Sequence, residues 1–497
     1  MADIYVRALN ATYNKIICDE GIAADLYDYF TFEAPNADWI KRNAVKKAMQ
    51  MGTTPKFKGW DGRIHLFTKK THKLYAGLYE RLETFASDRN LTVEYEYPII
   101  DRILPVEEAK KFYESLHLPE QYNEVRYYQD DLFVYGVRKG RGLLLSPTAS
   151  GKSLIIYLLL QYYLNQPKTL IVVPTINLVS QMANDFRDYG FDSDNMIHKI
   201  MEGTEKNSPK NIYVSTWQSI YEQPKEYFRQ FRTIIVDEVH GADAKSLKGI
   251  MEKATLTLNR FGFTGTLKDT QCHRLVLEGL FGPIRQGATT AELIEAKYLA
   301  ELNIKSIIFE YDQDTCKAVR KLDYPGEKDF LITHEGRNRF IRNLALSLKG
   351  NTILLYQKII HGQLLYDAIK PLAKGRSVYL VYGKTPGEER EEIQRLLSQE
   401  TDAIFIASYG TFSTGANIPS LANVIFGSPY KSRIKVLQSI GRGLRRIEGV
   451  KEEVIVYDLA DDLTHKDHQN FVLKHYVERI KIYNEEKFKY RTYRISL

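Results

Sequence analysis

The segment Ser146-Pro-Thr-Ala-Ser-Gly-Lys-Ser153 lies between an apolar run, GLLLS from position 142, and a helical pattern, LIIYLLLQYYL from position 154. A phosphate cradle needs a turn with converging backbone N–H groups, a helix N-terminus, a lysine and a hydroxyl for Mg²⁺. Gly151, Lys152 and Ser153 supply these parts in the required order, although Ser146 replaces the first Gly of G-x-x-x-x-G-K-[ST]. A lysine that only opens a helix is the alternative. The segment predicts a nucleotide site built from Ser146, Thr148, Ser150, Gly151, Lys152 and Ser153.

A second signal is the pair of acids in Thr233-Ile-Ile-Val-Asp237-Glu238-Val-His240, directly after an apolar run of strand length. The carboxyl edge of a parallel sheet faces its ligand, and two adjacent acids are costly to bury unpaired. A bound cation therefore explains them better than packing or an exposed acidic turn. We predict that Asp237 and Ser153 hold Mg²⁺ and that Glu238 orients or activates the attacking water.

Working outward from these segments, short apolar runs alternate with helical patterns. One series has runs near positions 142, 170, 211, 233 and 261, and a second has runs near 351, 377, 403, 423 and 453, after a connection near 290 to 345. Strands that alternate with helices indicate parallel sheets covered on both faces. The length of 497 residues suggests roughly three domains. We predict two α/β domains in tandem behind a smaller N-terminal domain that mixes short strands with turns.

The second α/β domain decides between classes of nucleotide-binding enzyme, because a kinase, a GTPase or a transporter ATPase also has a phosphate loop. It contains Leu437-Gln-Ser-Ile-Gly-Arg-Gly-Leu-Arg-Arg446. Arg442 and Arg445 are three residues apart and share one helix face, where both could point at a γ-phosphate. A basic surface helix would explain the arginines but not Gln438 and Gly441 at these spacings.

The net charge of +7 is concentrated, since residues 40 to 73 contain eight Lys and two Arg against one Asp. This window indicates a surface for a polyanion, and a solvated lysine-rich face is the alternative. Trp60 could stack on an unpaired base if it is exposed, or belong to the core if it is buried. The basic tail from Arg479 to Leu497 is a second candidate. The nucleic-acid contacts predicted in the window are Lys41, Arg42, Lys46, Lys47, Lys56, Lys58, Trp60 and Arg63.

Other features of the sequence exclude some classes of protein. Cys18, Cys272 and Cys316 are too few and too scattered for a disulfide framework or a zinc site. The N-terminus lacks the pattern of a secretory signal, and no apolar stretch approaches the roughly 20 residues that span a bilayer. We expect a soluble, intracellular protein of the cytoplasm, with no membrane partner.

With these segments in place, residues 120 to 460 resemble a superfamily 2 helicase in motif order. Further segments carry the likeness: Arg126-Tyr-Tyr-Gln129, Pro174 to Gln181, Ser215 to Gln218, Phe263 to Thr266 and Ser413 to Pro419. The resemblance implies two RecA-like domains, with Gln129 at the adenine and Gly415 and Gln438 at the nucleotide. It also implies that Phe263 to Thr266 couples hydrolysis to strand movement. The nucleic-acid contacts it implies are Pro174, Thr175, Gln181, Ser215, Thr216, Thr414 and Asn417.

The acidic segment reads Asp-Glu-Val-His, a variant that favours DNA over RNA within this superfamily. The N-terminal segment KFKGWDGRIHLF, from Lys56, and LIEAKYLAELNI, from Leu293, resemble the phage recombination and repair helicases. That resemblance implies a RecG-like ATPase, dependent on ATP and Mg²⁺, that unwinds forks, D-loops and R-loops and migrates Holliday junctions. Its partners would be branched DNA and RNA in RNA–DNA hybrids, and its state a monomer in the cytoplasm of the host cell.

A double-stranded DNA translocase or nucleoprotein remodeller without strand separation is the alternative, because it would use the same motor segments. An ATP-gated DNA clamp is disfavoured by the presence of Glu238, Arg442 and Arg445. The predicted boundaries are a basic N-terminal domain over 1–110, RecA-like domains over 111–292 and 293–462, and a helical basic tail over 463–497.

Overall fold

The computed structural model describes residues 2–34, 37–53, 61–201, 203–240, 244–267, 271–382, 399–413, 421–428, 430, 432–444 and 453–497. The chain divides into two compact units. The first contains Met1–Ser146 and Gly151–Gly287, and the second contains Pro147–Ser150 and Ala288–Leu497. Within the described ranges, no helix is both long and apolar enough to cross a membrane.

The N-terminal part of the first unit is a small mixed α+β structure. Its five-stranded sheet has the order β5-β6-β2-β1-β7, in which β1 runs antiparallel to β2 and parallel to β7. A separate antiparallel pair joins β3 to β4. The elements are β1 (Ile4–Ala8), β2 (Tyr13–Ile17), α1 (Glu20–Tyr29), β3 (Thr31–Glu33), α2 (Ala37–Gln50), β4 (Arg63–His65), β5 (Phe67–Thr68), β6 (Lys73–Tyr75), α3 (Tyr79–Ser87) and β7 (Val93–Tyr95).

The rest of the first unit is built on a seven-stranded sheet with the order β10-β11-β9-β12-β13-β8-β14, in which every neighbouring pair is parallel. Strands β9 and β12 are buried at every position because helices cover both faces. The elements are α4 (Val106–Ser115), α5 (Tyr127–Lys139), β8 (Arg141–Leu145), α6 (Lys152–Tyr162), β9 (Thr169–Val173), α7 (Ile176–Asp188), α8 (Ser193–Met196), β10 (Ile197–Ile200), β11 (Ile212–Thr216), α9 (Trp217–Ile220), α10 (Lys225–Phe228), β12 (Thr233–Val236), α11 (Ala244–Lys253), β13 (Asn259–Thr264), α12 (Gln271–Phe281) and β14 (Ile284–Gln286).

The second unit repeats this architecture in a seven-stranded parallel sheet with the order β17-β18-β16-β19-β20-β15-β21. The two parallel sheets and the N-terminal α+β part confirm the predicted fold class. The elements are α13 (Thr290–Glu295), β15 (Glu301–Glu310), α14 (Gln313–Val319), α15 (Tyr324–Thr333), α16 (Glu335–Ser347), β16 (Asn351–Tyr356), α17 (Ile359–Ile369), β17 (Val378–Val381), β18 (Ile404–Ser408), α18 (Tyr409–Ser413), β19 (Leu421–Phe426), α19 (Arg433–Gly443), β20 (Glu453–Asp462), α20 (Phe471–Glu485) and β21 (Tyr490–Ser496).

Two elements of the second unit differ from the sequence expectation. The stretch expected as a connection holds β15, whose ten residues pair with β20 on one side and with β21 on the other. The tail expected to be helical ends in β21, an edge strand that is exposed at most of its positions. Because an exposed edge strand needs no apolar face, its sequence YRTYRIS carries no buried pattern. Two basic residues of the predicted tail form ion pairs within the second unit. Arg479 on α20 pairs with the buried Asp458, and Arg494 on β21 pairs with Glu310.

The N-terminal part and the first parallel sheet share one apolar core. Phe30 and Phe85 on one side belong to the same cluster as Leu170 and Phe281 on the other. The boundary predicted at residue 110 remains a prediction, but the structure gives the two parts a common core.

Polar contacts reinforce this shared core. Glu252 on α11 accepts hydrogen bonds from the hydroxyls of Tyr13 and Tyr75, the second at 2.7 Å. Arg81 forms a two-pronged pair with Glu278 at 2.8 and 2.9 Å. Charge-assisted bonds of this kind are stronger than neutral ones. The N-terminal part is therefore fixed to the first parallel sheet.

The C-terminal helix α20 begins on a buried carboxylate from another helix. Glu327 of α15 accepts from the backbone N–H groups of Phe471 and Val472, at 2.9 and 2.8 Å, and from the side-chain amide of Asn470 at 2.9 Å. A negative charge at a helix N-terminus is stabilised by the unpaired N–H groups and the helix dipole. Glu327 therefore fixes where α20 starts.

We predict that Glu327→Gln lowers the free energy of unfolding by about 2 kcal/mol, because one acceptor oxygen is replaced by a donor that faces other donors. Urea denaturation followed by circular dichroism measures this change. The matched control is Glu295→Gln, at an exposed position of α13. Equal stability of the two variants would contradict the role of Glu327.

Candidate nucleotide and nucleic-acid site

The site lies at the carboxyl edge of the first parallel sheet, where β8, β13 and β12 end side by side. Strand β13 is hydrogen-bonded to both of the others, so the segment after it lies between the phosphate loop and the acidic pair. Two backbone bonds continue this order past the strands: Ser146 N–H donates to Thr264 O, and Val239 N–H donates to Phe263 O, both at 3.0 Å. Three distant sequence segments therefore meet at one edge.

The phosphate loop has two residues in the left-handed region of backbone conformation, Ala149 (φ 67°) and Gly151 (φ 82°). The Ser150 hydroxyl donates to Pro147 O at 2.7 Å and closes the turn. Gly151 is the N-cap of α6, which begins at Lys152, so the first N–H groups of α6 follow the loop directly. These groups and the helix dipole favour an anion, as the sequence analysis predicts for this segment.

Lys152, Glu238 and His240 form a chain of polar contacts at this edge. The Lys152 ammonium donates to Glu238 Oε1, and His240 Nδ1 lies 3.2 Å from Glu238 Oε2. The same His240 nitrogen lies 2.5 Å from the Thr264 hydroxyl, which donates to Thr266 O at 2.7 Å. The contacts link the lysine of the phosphate loop to the segment after β13.

The electrostatics of Glu238 follow from these neighbours. Burial acts to raise the pKa of Glu238, but the charge of Lys152 and the contact with His240 outweigh it and hold that pKa below its usual range. Glu238 also has a positive φ of 51°. Backbone strain of this kind costs of order 1–3 kcal/mol and persists only where the surroundings over-determine it. The site thus holds a charged carboxylate in one fixed orientation.

Asp237 is the best metal-ligand candidate, because it is a carboxylate with little solvent around it. Its side chain is buried, and its Oδ1 accepts the Glu238 N–H at 2.9 Å. Burial raises the pKa of Asp237 to about 6, against the opposing charge of Lys152. A divalent cation would supply the positive charge that this desolvated carboxylate favours. The residues present therefore fit Mg²⁺.

The other predicted metal ligand, Ser153, has a partner that the sequence did not reveal. Its hydroxyl lies 2.8 Å from the hydroxyl of Tyr189, at the end of α7. No group of three or more His, Cys, Asp or Glu side chains arranged for a metal occurs in the described part of the chain. An ion here would be held by Asp237, Ser153 and the oxygens of a phosphate ligand, which is the usual manner for Mg²⁺.

Gln129 lies beside the phosphate loop and is almost fully buried. Its Oε1 accepts the Arg126 N–H at 3.0 Å, which forms a capping box at the start of α5. A Cβ atom on residue 151 would lie 2.5 Å from Gln129 Nε2, and the φ of 82° disfavours any residue that has one, so the position favours glycine. The structure brings Gln129 to the nucleotide site, and its contact with adenine stays a prediction.

The predicted backbone-gripping residues of the first sheet lie at the carboxyl ends of β9 and β11 and on α7. Pro174 and Thr175 come directly after β9, and the Thr175 hydroxyl is buried and has no hydrogen-bond partner among the residues that the structure describes. Ser215 is fully buried and donates to Thr216 O at 3.0 Å, and the Thr216 hydroxyl caps α9. These side chains lie at the same sheet edge as the phosphate loop. Gln181 is half-buried on α7.

The first part of the basic window, from Lys41 to Lys47, lies on helix α2, as its spacing predicts. Arg42, Lys46 and Lys47 are exposed, and the Lys41 ammonium donates to Asp61 O at 3.0 Å. Arg63 is exposed on β4. Lys56, Lys58 and Trp60 lie outside the described residues. The sequence analysis missed Trp39, which is 65% exposed on α2 among these basic residues.

The predicted residues of the second unit are described only in part. Gln438 is half-buried on α19, and the backbone of Arg442 belongs to the same helix. Thr414, Gly415, Asn417 and Arg445, together with the side chain of Arg442, lie outside the described residues. Their roles therefore stay predictions.

Comparison with known proteins matches two family models to the chain. Residues 106–269 match the family described as "Type III restriction enzyme, res subunit", and residues 336–446 match the "Helicase conserved C-terminal domain". The chain is 34% identical to the ATP-dependent DNA helicase uvsW of Enterobacteria phage T4, over 98% of both chains. It is 26% identical to the DNA 3'-5' translocase XPB2 of Sulfurisphaera tokodaii, over 68% of this chain and 83% of that protein.

The crystal structure of T4 UvsW is similar to this structure, with a TM-score of 0.51, 31% identity and 99% of both chains covered. These matches confirm the resemblance to superfamily 2 helicases and the tandem RecA-like architecture.

We predict that Gly151→Ala weakens binding of a fluorescent ATP analogue by about tenfold or more. The added Cβ would be strained at φ 82° and would meet Gln129. Gly249→Ala on α11, where nothing lies within 4 Å of the new Cβ, is the matched control and should leave binding unchanged. Wild-type affinity in Gly151→Ala would contradict the assigned loop geometry.

Proposed function

Because the chain belongs to the family of ATP-dependent DNA helicases that includes UvsW of phage T4, we propose that it unwinds or migrates branched DNA. Its substrates would be replication forks, D-loops, R-loops and Holliday junctions, in recombination, replication and repair. The observation that supports this most is the basic helix α2, exposed on a part of the chain that shares a core with the ATP-binding sheet. Such a helix can bind the phosphates of one duplex arm of a branched DNA while the motor acts on a second arm.

At the nucleotide, the residues of the first sheet would act together. The loop from Ser146 to Ser153 would cradle the phosphates, and Lys152 would turn from Glu238 to the terminal phosphates. Asp237 and Ser153 would hold Mg²⁺, which neutralises charge on the phosphate oxygens. Glu238, released by the lysine, would orient the attacking water and accept its proton. His240 would keep the Glu238 carboxylate in place during this exchange.

The contact between His240 and Thr264 would couple ATP hydrolysis to movement of the nucleic-acid strand. A change in the position of Glu238 reaches Thr264 through a single buried histidine. Thr264 ends β13 and belongs to the segment from Phe263 to Thr266 that is implied to couple the two events. Arg442 and Arg445 would act on the γ-phosphate from the second RecA-like domain, and Gln438 and Gly415 would contact the nucleotide there.

A double-stranded DNA translocase without strand separation is the second candidate. The 26% identity to a protein described as a DNA 3'-5' translocase favours it. Both functions would use the same residues at the sheet edge. Strand displacement, measured beside translocation on the same DNA, separates them.

We predict that Lys152→Ala abolishes ATP hydrolysis and weakens nucleotide binding, because the phosphates lose their cation. Glu238→Gln should retain nucleotide binding and lose turnover by at least about 100-fold, the usual size of a lost general base. A coupled phosphate-release assay and a binding titration measure the two effects. Substantial turnover in Lys152→Ala would show that the loop is misassigned.

The substrate is tested by ATPase and unwinding assays with single strands, blunt duplex, forks, four-way junctions and RNA, at two salt concentrations. We expect forks and junctions to stimulate hydrolysis more than duplex of equal length, and stimulation to fall steeply with salt. Strand separation on forks would favour the helicase over the translocase. Equal stimulation by blunt duplex and branched DNA would contradict the branched-substrate proposal.

A further inference from the structure

Helix α2 carries an exposed apolar strip within its basic face. Trp39 is 65% exposed and Met49 is 78% exposed. At 3.6 residues per turn, Trp39, Arg42, Lys46 and Met49 fall within an arc of about 80°. The opposite side of the helix packs inward through Ala48. A large aromatic ring therefore stands in solvent on the same face of α2 as two cationic side chains.

The composition of this face is that of a binding surface. Tryptophan, methionine and arginine are enriched at binding interfaces relative to the rest of a protein surface. Single-stranded nucleic acid is bound by aromatic rings beside basic residues, because the ring stacks on a base and the cations contact the phosphates. The cations on this face favour a polyanion as the partner.

A groove of about 620 Å³ lies beside Trp39. The residues that line this groove indicate which part of a nucleic acid could bind in it. Lys41, Arg42 and Arg63 line it, and so do three carboxylates, Glu33, Asp38 and Asp61. Phosphate groups alone would be repelled by the three carboxylates of this groove. An unpaired base fits this mixture, because its ring N–H or amino groups can donate to carboxylates while its phosphate faces the cations.

The floor of the groove is held rigidly by local bonds. The Lys41 ammonium donates to Asp61 O and fixes α2 to the turn before β4. The Gly62 carbonyl of that turn accepts the N–H of Ala34, which follows β3, at 2.9 Å. Asp61 accepts the Arg63 N–H at 2.9 Å and lies 3.1 Å from His65. Trp39 is therefore presented on a preformed surface.

We propose that Trp39 stacks on an unpaired base at the branch point of the DNA, with Arg42 and Lys46 on the flanking phosphates. This inference rests on the proposed function and names the part of the branched substrate that the N-terminal region reads. Helix α2 would then make two separable contributions to DNA affinity. The phosphate contacts depend on salt, and the stacking contact depends on unpaired bases.

The test compares binding of the full chain to a fork with unpaired arms and to a blunt duplex of equal phosphate count. Trp39→Ala should weaken fork binding by about tenfold, the size of one lost base stack, and leave duplex binding unchanged. Trp39→Phe should keep most of the affinity. Lys46→Glu with Lys47→Glu should weaken both substrates and reduce the salt slope by about one to two. Tyr97→Ala, another exposed aromatic position, is the matched control.

Tryptophan fluorescence tests stacking directly. The chain has three tryptophans, and Trp217 is buried. Single-stranded oligothymidylate should quench wild-type emission more than it quenches that of Trp39→Phe, in which Trp60 and Trp217 remain. Equal fork affinity and equal quenching in wild type and Trp39→Phe and Trp39→Ala would overturn the inference.

The outcome also separates this inference from the proposed function. If the wild-type chain unwinds forks and Trp39→Ala unwinds them equally, the stacking role fails and the branched-DNA helicase stands. If the wild-type chain unwinds nothing, the proposed function fails, and the oligothymidylate quenching still decides whether Trp39 contacts bases. A Trp39→Ala variant that loses fork and duplex binding equally would show a general contact and overturn the inference.

Discussion

The parallel pairing of β13 with both β8 and β12 is the constraint on which the site depends. It fixes the order phosphate loop, Thr264, acidic pair along one sheet edge. His240 can then touch Glu238 and Thr264 at once, and Lys152 can reach Glu238. A different strand order would leave the same residues in the chain without these contacts. The chemistry of the site is therefore a property of the sheet topology as much as of the motifs.

The sequence predicted the parts whose signal is local. The apolar runs near 142, 170, 211, 233 and 261 became β8, β9, β11, β12 and β13, and the basic spacing from Lys41 became α2. It did not predict β15, since its run follows directly on a helical pattern, or β21, since an exposed edge strand carries no apolar run. Tyr189 was also missed, because its contact with Ser153 joins residues 36 positions apart and has no spacing rule.

Two buried ion pairs stabilise the second unit in a way that no local pattern indicates. Arg337 pairs with Asp461 at 2.8 Å, and Arg479 pairs with Asp458. Burial acts to lower the pKa of Arg479, but the negative charge of Asp458 outweighs this effect and raises that pKa above its usual value. Arg479 was counted in the basic tail as a candidate for DNA. Its burial removes it from the surface and shows that a charge count along the chain does not distinguish paired from exposed cations.

Arg260 on β13 is fully buried, and its guanidinium donates to neutral acceptors, among them the Thr12 hydroxyl at 2.8 Å and Thr257 O at 3.0 Å. Burial, with Arg141 nearby, lowers the pKa of Arg260 well below its usual value. The N-terminal strand region thus supplies an acceptor to a cation inside the motor sheet. A chain that began at residue 111 would have to leave that acceptor out and open the shared core to water. The N-terminal part is therefore a structural component of the motor's interior as well as a candidate DNA-binding surface.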